Sequence, residues 1–128
     1  MVVSERHKRP LILLADDDEP VRGLCRTALE RGGYDVVEAR NAVEALGFLG
    51  AMEASFALMI TDVVMPGGMD GVALGEAVRR LRPGLPILYM TGYSRRAVDI
   101  EPVLRKPFSL HELLRVVGEL VQAPSSGE

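Results

Sequence analysis

The stretch Leu11-Ile12-Leu13-Leu14-Ala15-Asp16-Asp17-Asp18-Glu19-Pro20 decides the fold class. Five consecutive apolar residues form too short a run for a core helix and suit a strand buried on both faces of a parallel sheet. The run stops at three aspartates. Pro20 can then open a helix, because a first turn does not need the N–H that proline lacks. Val21, Leu24, Cys25, Ala28 and Leu29 follow at three- and four-residue steps and predict one apolar helix face. Gly32-Gly33 stops that helix.

The same rhythm continues outward. Tyr34 to Ala39 predicts a second strand, and Asn41 a cap for a helix carrying Ala42, Ala45, Leu46 and Leu49. Phe56 to Thr61 predicts a third strand ending at Asp62. The loop Pro66-Gly67-Gly68-Met69-Asp70-Gly71 follows, rich in breakers, with Asp70 a plausible cap. Val72, Leu74, Ala77, Val78 and Leu81 give the third helix, ended by Pro83-Gly84. Pro86 to Met90 reads as strand four. Ser94 to Pro102 is polar and ambiguous, and Val103-Leu104 gives a short fifth strand. Ser109, with Glu112 three residues on, is a capping box for a last helix. Its stripe is Leu110, Leu113, Leu114, Val117, Leu120 and Val121. Strand and helix alternate about five times, which predicts an α/β fold: a doubly wound, five-stranded parallel sheet with helices on both faces.

Composition narrows the function classes. A chain of 128 residues with 48% hydrophobic residues holds one domain. It can bury roughly two-thirds of its surface. The net charge of −3 gives no reason to expect nucleic-acid binding. No apolar run is long enough for membrane insertion. A single cysteine, Cys25, excludes an internal disulfide and fits a reducing, cytoplasmic setting.

Ligands of open parallel sheets collect at the carboxyl ends of the strands. There the sequence places Asp16 and Asp17 after strand one, Asp62 after strand three, Thr91 after strand four and Lys106 after strand five. Clustered carboxylates repel unless a proton or cation intervenes. Oxygen-only donors suit Mg²⁺, which keeps several waters. No histidine lies at a strand end, so zinc is not expected. No glycine loop of the Walker or dinucleotide type is present. A carboxylate beside Mg²⁺, faced by a hydroxyl and an ammonium, suits phosphoryl transfer onto the carboxylate. Each residue also has a structural reading. Asp16 to Asp18 could be a helix cap and acidic first turn, Asp62 a loop aspartate, Thr91 a β-former, and Lys106 a solvated lysine. Their joint placement at strand ends favours the site.

With these residues in place, the chain resembles the receiver domain of two-component response regulators, from about Pro10 to Val121. The motifs are Leu13 to Pro20, Asp62 to Gly71, Thr91, and Lys106-Pro107-Phe108. The stretch Pro86 to Tyr93 and the doubled glycine after Asp62 resemble receivers of hybrid histidine kinases and stand-alone receivers. The resemblance implies a receiver over residues 10–121, with a flexible segment 1–9 and a tail 122–128. It implies phosphorylation on Asp62, a switch hydroxyl on Thr91 and a phosphate-contacting Lys106. It implies Mg²⁺ held by Asp17 directly, by Asp16 mostly through water, by Asp62 and by the backbone carbonyl of Val64. The donor would be a histidine kinase or a histidine phosphotransfer protein, with small acyl phosphates as substitutes. The expected protein is a monomer or weak dimer with self-directed chemistry, not a turnover enzyme. Rival readings are a non-phosphorylated docking module and a small Mg²⁺-dependent phosphatase with an Asp nucleophile.

Two departures from the family pattern stand out. Val103 replaces the usual aromatic residue three before the lysine. Only fourteen residues separate Thr91 from Lys106, so the fourth helix of the pattern should be short or irregular. Tyr93 could supply a substitute lever, and phosphorylation would then reorganise Gly92, Tyr93 and Ser94 to Pro102.

Overall fold

The computed structural model describes residues 9–51, 55–92 and 100–122. Tyr93 and residues 94–99, where the substitute lever and the short fourth helix were expected, lie outside the described residues. The elements, in chain order, are β1 (Leu11–Ala15), α1 (Glu19–Arg31), β2 (Asp35–Ala39), α2 (Ala42–Ala51), β3 (Leu58–Asp62) and α3 (Gly71–Leu81). They continue with β4 (Ile87–Thr91), β5 (Val103–Arg105) and α4 (Leu110–Gln122). All strand pairs are parallel, in the order β2-β1-β3-β4-β5. The doubly wound α/β expectation is therefore met.

Side-chain alternation divides the core into two layers. Leu13, Ala15, Met59, Ile87 and Tyr89 pack with Ala45 and Leu49 of α2 and Leu74 and Val78 of α3. Ile12, Leu14, Leu58, Ile60, Leu88 and Met90 pack with Cys25 and Leu29 of α1 and Leu113 and Val117 of α4. Helices thus cover both faces, which is why the central strands read as unbroken apolar runs.

The expected caps form. Asp18 Oδ1 accepts from Val21 N at 3.2 Å, Asn41 Oδ1 from Glu44 N at 2.8 Å, and Ser109 Oγ from Glu112 N at 2.9 Å. Asp70 Oδ1 accepts from Ala73 N at 2.9 Å. Gly33, at φ 105°, makes the left-handed turn after α1.

Several boundaries move. β3 starts at Leu58 rather than Phe56. Asp62 and Thr91, expected just past their strands, are the last residues of β3 and β4. The ladder runs on because Asp62 pairs with Met90 and Thr91 with Arg105. Three stripe leucines are also exposed: Leu24 at 61%, Leu81 at 54% and Leu110 at 41%. In α1 the buried face is Arg22, Cys25, Ala28 and Leu29, shifted toward Arg22, which is 7% exposed, and away from Leu24 on the opposite side of the helix. No helix among the described residues is long and apolar enough to cross a membrane.

Candidate functional site at the carboxyl edge of the sheet

The strand order reverses direction around β1. The chain moves from β1 to β2 on one side, then crosses back to β3 on the other. The loops leaving β1 and β3 diverge to opposite faces, opening a crevice between the two strand ends. Asp16 and Asp17 leave β1 at this point, and Asp62 ends β3. One carboxylate oxygen from each of the three lies within 4.8 Å of the others.

Asp16 is fully buried and held at several atoms. Its N–H donates to the Ala39 carbonyl at 3.0 Å, and its Oδ1 accepts from Asp18 N at 2.9 Å. Its carbonyl accepts from Arg22 Nη1 at 2.6 Å. Its Oδ2 is buried with no hydrogen-bond partner among the described residues. Asp17 is exposed at the mouth, and Asp62 is buried. Lys106, 27% exposed, brings its Nζ to 3.4 Å from Asp62 Oδ1 and 3.9 Å from Asp16 Oδ2. Its backbone N–H donates to the Thr91 carbonyl at 2.8 Å, which ties the lysine to the end of β4. The Thr91 hydroxyl is buried and also has no partner among the described residues. Gly92 beside it has open space where a Cβ would stand. Val64 stands two residues beyond Asp62 with its side chain exposed.

The fold therefore gathers Asp16, Asp17, Asp62 and Lys106 into one cluster, with Thr91 on the same rim. Two contributors carried no sequence-based assignment. Arg22 was hidden among the helix positions, and its partners Glu38 and the Asp16 carbonyl are not local enough to leave a pattern. Gly71 closes the breaker-rich loop and the Asp62 to Gly71 motif, and neither gives it a role of its own. Its N–H donates to the Val63 carbonyl at 2.8 Å, docking the start of α3 against the end of β3.

The electrostatics follow from burial. Asp62 is pushed up to about 6, mainly by burial and further by Asp16 and Asp17, against the attraction of Lys106. Asp16 is raised by burial, which outweighs its bond from Asp18 N–H and the Lys106 charge. One ammonium does not compensate three carboxylates. An unpartnered buried Oδ2 within an all-oxygen donor set fits a small, hard divalent cation such as Mg²⁺. Cys25, nearby on α1, is pushed up to about 11 by burial and by Asp16, which keeps it an unreactive thiol.

A pH dependence follows. The folded state holds the Asp62 proton up to about pH 6, whereas an unfolded aspartate releases it near 3.8. The folded state therefore binds more protons between these values, and stability falls as pH rises through that window. Without divalent cations, wild type should lose about 2–3 kcal/mol relative to Asp62→Asn between pH 4 and pH 7. Thermal or denaturant unfolding of both proteins in chelator checks this. Parallel pH profiles would contradict it.

Comparison with known proteins agrees with this geometry. Residues 12–118 match the family described as the response regulator receiver domain. The response regulator receiver protein CpdR of Brucella abortus is 35% identical over 119 residues, covering 88% of this chain and 97% of CpdR. The sensor kinase CckA of the same organism is 34% identical over 118 residues, covering 87% of this chain but only 12% of that protein. The response regulator TrrA of Thermotoga maritima, solved in complex with Mg(2+)-BeF, superposes with a TM-score of 0.78 at 28% identity. That match covers 87% of this chain and 98% of TrrA. By its sequence, its β2-β1-β3-β4-β5 sheet and the acidic cluster at the strand ends, this chain belongs to the response regulator receiver domain family.

Proposed function

We propose that Asp62 accepts a phosphoryl group from a phosphohistidine donor in a Mg²⁺-dependent reaction, and that Asp16, Asp17 and the Val64 carbonyl hold the cation with it. One observation carries this reading. Asp62 is buried at the crevice within 3.4 Å of an ammonium, in a carboxylate trio that this single positive charge leaves uncompensated.

An ionised Asp62 oxygen attacks phosphorus, the P–N bond to the donor imidazole breaks with its electron pair going to nitrogen, and the ring leaves as neutral imidazole because its other nitrogen already carries a proton. The bound cation supplies charge neutralisation at the phosphoryl oxygens. Lys106 neutralises a second oxygen, and the buried Thr91 hydroxyl donates to a third. The partner is a histidine kinase or a histidine phosphotransfer protein, and a small acyl phosphate can replace it. A cytoplasmic location goes with such a partner. The product is an acyl phosphate on the protein itself, reset by hydrolysis, so the chain acts as a switch rather than a turnover enzyme.

Intact-mass analysis after adding Mg²⁺ and an acyl phosphate tests this. The expected result is a single phosphoryl adduct that disappears in chelator. An unmodified chain would indicate a docking module. Repeated turnover on many phosphate monoesters would indicate a phosphatase.

A further inference from the structure

We propose that Arg22 is a positioning residue for the metal site: by pinning the Asp16 carbonyl it orients the Asp16–Asp17 peptide, and with it the Asp17 carboxylate. This deepens the proposed function and rests on its assignment of Asp17 as a Mg²⁺ ligand.

The peptide joining Asp16 to Asp17 is a rigid plane. Rotating it changes ψ of Asp16 and φ of Asp17 together, and to the extent that the two changes do not cancel it turns the Cα–Cβ bond of Asp17. The preceding peptide is fixed by Asp16 N–H on the Ala39 carbonyl, and the Asp16 side chain is held by Asp18 N–H. The Asp16–Asp17 plane has Arg22 Nη1, at 2.6 Å, as its hold on the carbonyl side.

The guanidinium is itself held in place. Arg22 Nε donates to Glu38 Oε1 at 2.6 Å, near the end of β2. Arg26 Nη1 donates to the other Glu38 oxygen at 2.7 Å, and Arg26 Nε to Glu30 at 2.8 Å. Arginine suits the place because its planar fork offers separate donors to a carboxylate and to a carbonyl at fixed spacing. A lysine has one nitrogen and cannot reproduce that fork. With Arg22 truncated, a buried carbonyl would lose its donor, and the peptide would rotate toward another. Asp17, exposed at the mouth, would turn with it.

Amide-shift titration with MgCl₂, alongside thermal unfolding, tests the proposal in wild type, Arg22→Met, Arg22→Lys, Ala28→Gly and Asp17→Ala. Partners of metal ligands typically contribute 10–100-fold in affinity, and about 10-fold weaker binding is expected for Arg22→Met. Arg22→Lys should resemble Arg22→Met, because it restores charge without the fork. It also keeps the test open if the Met variant does not fold. Ala28→Gly loosens the same helix without touching Asp16, and should lower the melting temperature with Mg²⁺ affinity within about 2-fold of wild type. Wild-type affinity in Arg22→Met, full recovery in Arg22→Lys, or an equal loss in Ala28→Gly would each overturn the positioning role. If wild type does not bind Mg²⁺, or if Asp17→Ala binds it equally well, the metal assignment itself fails and the proposal falls with it.

Discussion

Replacing Asp62 by Asn is expected to reduce phosphoryl labelling from a phosphohistidine donor to background while leaving the protein folded. Asn preserves the shape of the side chain and its place at the end of β3. It removes the anionic oxygen that would form the bond to phosphorus. Loss of fold is not the expected cause. Burial, with Asp16 and Asp17 beside it, disfavours the Asp62 charge more than Lys106 favours it. A neutral amide should therefore make the cation-free protein about 2 kcal/mol more stable at pH 7. A melting temperature above that of wild type, together with absent labelling, is the combined signature. Undiminished labelling at the native site would remove Asp62 from the reaction.

Gly71→Ala is expected to be the most damaging single-methyl change near the site. A Cβ at this position would stand 1.9 Å from the Asp62 carbonyl oxygen and 2.9 Å from the Val63 Cα. These are backbone atoms of a central strand end, so no side chain can swing aside. The start of α3 would have to back away from β3, breaking the bond from Gly71 N–H to the Val63 carbonyl and dragging Asp62 with it. A stability loss of about 3 kcal/mol or more is expected. The same substitution at Gly47, exposed in α2 with open space around a Cβ, should stabilise by about 0.5–1 kcal/mol. Chemical denaturation of the two variants reads out the contrast. A Gly71→Ala protein as stable as wild type would show that α3 does not need this close approach.

Much of the fold is legible locally. The strands Leu11–Ala15, Leu58–Asp62 and Ile87–Thr91 are covered on both faces, so they open on unbroken apolar runs and turn polar only where β3 and β4 reach the crevice, at Thr61, Asp62 and Thr91. Asp18, Asn41, Asp70 and Ser109 mark helix starts because each cap acts within three residues of itself. The candidate residues Asp16, Asp17, Asp62, Thr91 and Lys106 can be picked out for the same reason. Each ends or follows an apolar run, and strand ends on one rim converge in a parallel sheet. Leu24 shows where periodicity stops. It satisfies the helical repeat, yet it lies exposed at the edge of a buried face that is shifted toward Arg22 on the other side of the helix.

By itself, the sequence determined the alternation of strands and helices, the caps, and which polar residues stand at each strand end, since all of these depend on neighbours a few residues apart. Only the tertiary structure decided the order β2-β1-β3-β4-β5 and the meeting of Asp16 with Asp62 and Lys106. It also decided the hold of Arg22 on the Asp16 carbonyl, the tight seat of Gly71 and the raised protonation range of Asp62. The physical reason is common to all of these. Burial, close approach and charge compensation are set by whichever groups the folded chain brings alongside. Here most of those groups are separated by tens of residues, and even the nearest pair meets only once β1 and α1 have both docked.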